Sequence, residues 1–140
     1  MTVRRVADVT VGEKLGPKTI PVRRDTLRAY AAASGDDNPI HQNEDFARQV
    51  GLPDVIAHGM WTMGATGTLV TEWAGDPGRI VAYGTRFTNM VVVPRTGSEI
   101  VVAGEVTDMD PGAGTATVAV TATAGGRDVL GRCTAVVRLG

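Results

Sequence analysis

A single cysteine, Cys133, stands among 140 residues. No internal disulfide can form, which fits a reducing, cytoplasmic setting. The run RCTAVV alternates around it, so Cys133 reads as a small buried hydrophobe. There are only two histidines, too few with one cysteine for a four-ligand structural zinc site; no metal is expected. Neither sign of charge dominates: 14 basic and 15 acidic residues leave a net charge of -1. That excludes the basic excess of a nucleic-acid-binding domain. No apolar run reaches the roughly 18 residues of a membrane span, and MTVRRVADVTVGEKL lacks the apolar centre of a signal peptide. Aromatic residues make up only 4%, so the core must be built from aliphatic side chains. A chain of this length reads as one domain, 1–140, able to bury roughly 68% of its unfolded surface.

Glycine, by contrast, is abundant at 18 residues, and much of it punctuates two unlike halves. In the first half, residues 1–16 read as an irregular arm that Val9, Val11 and Leu15 dock onto the body. KTIPV, 18–22, reads as a short strand. From Asp25 onward Leu27, Tyr30, Ala31 and Ser34 recur at helical spacing. Asn43 is placed to cap a short helix over 44–50 that Gly51 ends. HGMWTMGATGTLVTEW, 58–73, is the longest helical stretch despite Gly59, Gly64 and Gly67. Each interior glycine costs about 0.5–1 kcal/mol relative to alanine, and close packing of a sheet around the helix would explain them. The second half is rich in Val, Thr and Ile over 79–93, 99–109, 115–124 and 128–139, with turns between. One short strand, helices and four long strands make an α+β fold with its helices on one face of an antiparallel sheet.

The chemistry concentrates in SGDDNPIH, 34–41. Gly35 permits backbone angles other residues avoid, and Pro39 pushes Asn38 out of the helical region. The segment is therefore a turn, and it crowds two carboxylates, an amide and an imidazole between apolar flanks. Asp36 and His41 read as an acid/base pair. Asn38 either fixes the turn or orients that pair, and Asp37 reads as solvated. The bland alternative makes Asp36 a helix cap and His41 a buried structural histidine.

Tyr30-x-x-x-Ser34-Gly35-Asp36-x-Asn38-Pro39-Ile40-His41, followed by Ala47, resembles the signature of the MaoC-like (R)-specific hydratases and dehydratases. A second block, Ala57-His58-Gly59-Met60, and a third, Arg86-Phe87-Thr88 with Val93-Pro94 and Gly97, are similar to that family at matching spacing. Within it the chain resembles the B-type catalytic subunits of mycobacterial (3R)-hydroxyacyl-carrier-protein dehydratases. The resemblance implies a hotdog fold, an antiparallel sheet wrapped around one long helix. It implies reversible addition of water to trans-2-enoyl thioesters on acyl carrier protein or CoA, without a cofactor. Asp36 and His41 would hold the water or substrate hydroxyl, Asn38 would support them, and the Gly59 N–H would meet the thioester oxygen. His58, Met60, Trp61 and Phe87, with Met63, are candidates to line the acyl site. The resemblance further implies a homodimer, or a heterodimer with a related hotdog subunit that lacks the motif. A stand-alone (R)-specific enoyl-CoA hydratase and a non-catalytic acyl-binding subunit are the competing readings; a hotdog thioesterase would leave the motif unexplained.

Overall fold

Strict alternation builds the sheet. In β4, Thr115–Ala124, the side chains of Ala116, Val118, Val120 and Ala122 turn inward while threonines and the intervening alanines face away. Ile100, Val102 and Val106 do the same in β3, Ser98–Asp110. Cys133, Ala135 and Val137 do so in β6, Leu130–Arg138. With β1, Lys14–Val22, and β2, Ile80–Phe87, these strands form one antiparallel sheet in the order β1-β3-β4-β6-β2. A two-residue strand, β5 (Arg127–Asp128), folds back on the end of β4. The computed structural model describes residues 2–140.

The sheet wraps helix α3, Gly59–Ala74, which touches β1, β2, β3, β4 and β6. Thr62, Thr66, Leu69, Val70 and Ala74 are its buried face. This is the hotdog arrangement. Two short helices, α1 (Arg24–Ser34) and α2 (Glu44–Gln49), flank the entrance to α3. Leu27 and Ala31 anchor α1, and Ala47 anchors α2. Burying a side chain such as Leu27 contributes roughly 1.5–3 kcal/mol. Asn43 caps α2 as its position suggests, its Oδ1 accepting the Phe46 N–H at 3.0 Å.

Several expectations need correction. The first strand begins at Lys14, not Lys18, with an irregularity between Leu15 and Lys18. Val9 and Leu15 dock the preceding arm, but Val11 is 60% exposed. The strand expected over 79–93 stops at Phe87. Beyond it, the Thr88 N–H makes one last backbone bond to Val129 O at 3.1 Å, and Thr88 Oγ1 and Asn89 Nδ2 donate to the Asp128 carbonyl. Val91 and Val93 pair with the segment before α3: Ala57 N–H donates to Val91 O and Val93 N–H to Val55 O, both at 2.9 Å. The strand expected over 128–139 is interrupted at Val129, which separates β5 from β6. Of the α3 glycines, Gly67 does meet the sheet: a Cβ there would lie 3.2 Å from the Tyr83 ring. Gly64 faces open space, so close packing does not explain it.

Candidate active site

The site forms where α1 ends and α3 begins. Gly35, at φ 81°, terminates α1 with its N–H on the Ala31 carbonyl; only glycine takes that left-handed conformation without strain. The chain then turns through a ladder of local side-chain bonds. Asp36 N–H donates to Ser34 Oγ at 3.1 Å, Asn38 N–H to Asp36 Oδ1 at 3.2 Å, and Ile40 N–H to Asn38 Oδ1 at 3.1 Å. Asn38 thus caps the 3-10 turn Pro39–His41 with its side chain and anchors the Asp36 carboxylate with its backbone. Asn38 therefore fixes the turn at two points, through its side chain and through its amide. Asp37 is exposed.

A charged strut holds this turn against the rest of the molecule. Arg24, at the start of α1, donates through Nε to Val93 O at 2.7 Å, through Nη1 to Glu44 at 2.8 Å and through Nη2 to Asp54 at 2.9 Å. One guanidinium therefore ties together the first turns of α1 and α2, the loop before α3 and the segment after β2. Arg95 adds a two-pronged pair to Glu44 at 2.6 and 2.9 Å. These two arginines pull the Glu44 carboxyl down to about 2 from its ordinary 4.5, Arg95 more strongly than Arg24.

His41 is buried at 7% exposure, whereas Asp36 is exposed. His41 Nδ1 lies 2.6 Å from the Ile56 carbonyl. A carbonyl only accepts, so Nδ1 carries the proton and Nε2 is the free basic nitrogen. Burial, chiefly, pushes the imidazole below its ordinary 6.5; the Ile56 bond and the Asp36 charge oppose this, and His58 reinforces it. His41 is therefore neutral, and competent as a base, at neutral pH. A carboxylate oxygen of Asp36 and ring nitrogens of His41 and His58 lie within 4.8 Å of one another. The Asp36–His41 pair inferred from the turn is thus assembled in space.

His58 immediately precedes α3 and is 2% exposed. Its ring stacks on His41 with centroids 3.8 Å apart and planes inclined by 22°, and it meets the tilted Tyr30 ring at 4.8 Å. His58 Nε2 lies 3.1 Å from the Asp36 backbone carbonyl. Three metal-capable side chains meet here, and one nitrogen of each imidazole is already engaged by a backbone carbonyl.

Beside the pair opens a cavity of about 800 Å3. Ile56, Gly59, Thr62, Phe87, Met90 and Val129 are among its walls, with Arg127 and Asn89 also lining it. Asp36 and His41 do not line it; His41 is joined to it through the carbonyl of Ile56, one of its lining residues. The first amides of α3 have no partners within the helix and carry its positive dipole end. Of the residues expected to line an acyl site, Phe87 lines this cavity and His58, Met60 and Trp61 do not: His58 is buried, Met60 is 59% exposed, and Trp61 packs against the core. Met63 does not line the cavity either; its carbonyl accepts the Tyr83 hydroxyl at 2.6 Å. Helical spacing alone could not tell which face of α3 the sheet would cover. Ser34, the Ile56 carbonyl and Thr62 are site features that sequence reasoning missed. Only Ser34 left a signal, a hydroxyl two residues before Asp36.

Comparison with known proteins places the chain by family and fold. The model of the MaoC-like domain matches residues 6–126. Among curated proteins, 3-hydroxyacyl-thioester dehydratase X of Mycobacterium tuberculosis is 43% identical over 79 residues, covering 56% of this chain and 27% of that protein. Fatty acid synthase subunit beta of Saccharomyces cerevisiae is 39% identical over 69 residues, covering 48% of this chain and 3% of its own length. The chain thus spans about a quarter or less of these two relatives. Among solved structures, a MaoC-like dehydratase superposes with a TM-score of 0.96 at 39% identity, over 99% of this chain and 43% of that one. An (R)-hydratase from A. caviae involved in PHA biosynthesis gives 0.84 at 26%, over 94% and 98%. Motif, sheet topology and matched span agree, and the chain belongs to the family of MaoC-like domains.

Proposed function

We propose that this chain catalyses the reversible dehydration of (3R)-3-hydroxyacyl thioesters to trans-2-enoyl thioesters. The observation that carries the reading is the pairing of an exposed carboxylate, Asp36, with a buried, neutral imidazole, His41, beside the free amides of α3. Dehydration removes a weakly acidic proton next to the thioester carbonyl and expels hydroxide, which needs a proton to leave. Two positioned titratable groups supply both transfers, worth typically 10²–10⁴-fold. The thioester oxygen gains charge as the α-proton departs, and the Gly59 N–H at the helix start is a preorganised donor for it. Asn38 keeps Asp36 in place. The cavity with Phe87 in its wall is of a size to take an acyl chain. Relatives named as a 3-hydroxyacyl-thioester dehydratase and an (R)-hydratase support this chemistry. We place the chain in fatty-acid metabolism, on acyl-carrier-protein or CoA thioesters, and read residues 1–140 as one domain.

A free strand edge supports pairing with a second hotdog. Among the described residues β2 ends the sheet with no neighbour beyond it, and unpaired edges invite strand addition. Val81 on that edge, Phe87 at its end and Met90 just past it are about half exposed. Solved complexes of paired chains, ChsH1-ChsH2 and HadBC of M. tuberculosis, share the fold at 23% and 18% identity. We propose a dimer, with a related subunit or with itself. Among the described residues no helix is long and apolar enough to cross a membrane.

The test is the purified chain on crotonyl-CoA and on a long enoyl thioester, following enoyl absorbance and free thiol. Loss of the enoyl group without thiol release supports the reading. Thiol release would point to a thioesterase, and binding without turnover to an acyl-binding subunit.

A further inference from the structure

We infer that His58 is a positioning residue that sets Asp36 and His41 in register with each other. The inference rests on the dehydratase reading for its kinetic consequence, but its structural half stands apart from it.

His58 is a buried titratable group to which neither the fold nor the proposed chemistry assigns a task. It precedes the first turn of α3 without capping it: no side-chain bond reaches the helix amides. Its Nδ1 is buried with no partner. As packing alone, the imidazole is a poor choice, because a phenyl ring would fill the same slot and leave no orphaned nitrogen. What the imidazole adds is one directed bond. Nε2 donates to the Asp36 backbone carbonyl at 3.1 Å, across 22 residues of chain. The same ring lies flat on His41 at 3.8 Å and meets Tyr30 from α1 at 4.8 Å.

The geometry makes one rigid plate the common reference for both members of the pair. Asp36 belongs to an exposed turn whose other bonds are local, to Ser34 and Asn38. Those bonds shape the turn, and the His41 N–H on the Asn38 carbonyl and the Ile56 N–H on the Ile40 carbonyl hold its far end, but none of them holds the Asp36 peptide against the α3 side of the site. His41 is fixed by Ile56 from the α3 side. Among the described residues, His58 Nε2 is the side-chain donor that ties the Asp36 backbone carbonyl to that same side of the site. Without it the turn stays tied at Ile40 and His41, and its Asp36 end loses its hold on that side. A displacement of the order of 1 Å can cost about 10²-fold in rate.

The test compares wild type, His58→Phe and His58→Gln. The first keeps an aromatic plate against His41 and removes the donor. The second replaces the ring but sets an amide N–H near the place of Nε2. We measure kcat and KM on crotonyl-CoA, melting temperature, and NMR shifts of the Asp36 and Asp37 amides and the His41 Nδ1–H. His58→Phe is expected to lower kcat about 10²-fold with KM within about threefold and a cooperative melt, and His58→Gln to recover to within about tenfold of wild type. A kcat for His58→Phe within threefold of wild type would overturn the inference, as would equal losses in both variants. If wild type turns over neither enoyl thioester, the functional reading fails and the NMR decides this inference alone. Shifts at Asp36 and Asp37 that move in His58→Phe and return in His58→Gln support it; shifts unchanged in both overturn it. If His58→Phe does not fold, His58→Gln and His58→Asn, whose shorter amide stops short of the Asp36 carbonyl, are compared in the same way.

Discussion

Gly59→Pro isolates a single atom of the proposed mechanism. Gly59 opens α3, where its amide has no helical partner. Proline removes that N–H, and the backbone is ready for it. The first helical position tolerates proline, and the residue before a proline must be extended, as His58 already is at φ −62°, ψ 132°. The side effect is steric. A Cβ on Gly59 would meet the Phe87 ring at 3.1–3.3 Å, so the ring must give by a few tenths of an ångström. Phe87 is more than half exposed and can swing. Gly59→Ala adds the same Cβ and keeps the N–H, which makes it the matched control. Loss of one oxyanion donor costs about 10²–10³-fold in kcat, or about 2.7–4 kcal/mol. A sub-ångström shift of Phe87 should cost about tenfold or less. Steady-state hydration of crotonyl-CoA by both variants, with melting temperatures, separates the two effects. Equal losses in Gly59→Pro and Gly59→Ala would refute the oxyanion assignment and leave Gly59 as a packing residue.

Asp36→Asn and His41→Ala are each expected to remove turnover by about 10²-fold or more while the melting curve stays close to wild type; a folded variant retaining a tenth of the rate contradicts the acid/base assignment. Because burial lowers the His41 pKa, the acid limb of kcat/KM should have its midpoint below the ordinary imidazole value of 6.5, and a midpoint above it would contradict His41 as the base. Glu44 titrates near 2 in the fold against 4.5 ordinarily, so its contribution to stability is full above pH 4.5 and is lost as pH falls toward 2. Glu44→Gln should therefore melt below wild type at pH 7, and the gap should close near pH 2; a gap independent of pH would show that the arginine pairing is not the cause. Thr66 Oγ1 is buried without a partner, so Thr66→Val should stabilise by about 1 kcal/mol in urea titrations, and a loss of stability would show that the hydroxyl is satisfied.

Legibility followed the range of the forces involved. Period-two alternation marked β3, β4 and β6 because each strand has one face on the core. The SGDDNPIH turn was legible because its bonds are local: Ser34, Asp36 and Asn38 each take an amide two residues on. Gly35 and Asn43 acted as their chemistry suggests, ending α1 and capping α2. Features decided by distant partners were hidden. Val91 and Val93 carry strand-forming side chains, yet they leave the sheet because residues 55–57 offer them backbone partners. The glycines of α3 looked alike in sequence, but Gly59 faces Phe87, Gly67 faces Tyr83 and Gly64 faces open space. His58 showed as a helix-start histidine, and its bond to Asp36 spans 22 residues that no local pattern connects.

The central claim is that Asp36 and His41 move protons on a (3R)-3-hydroxyacyl thioester. Chiral analysis of the product formed from crotonyl-CoA tests it most directly, run beside His41→Ala under the same conditions. The account predicts the (3R)-3-hydroxybutyryl thioester, no free thiol, and loss of nearly all product in the variant. A (3S) product, release of CoA thiol, or undiminished product from folded His41→Ala would contradict it.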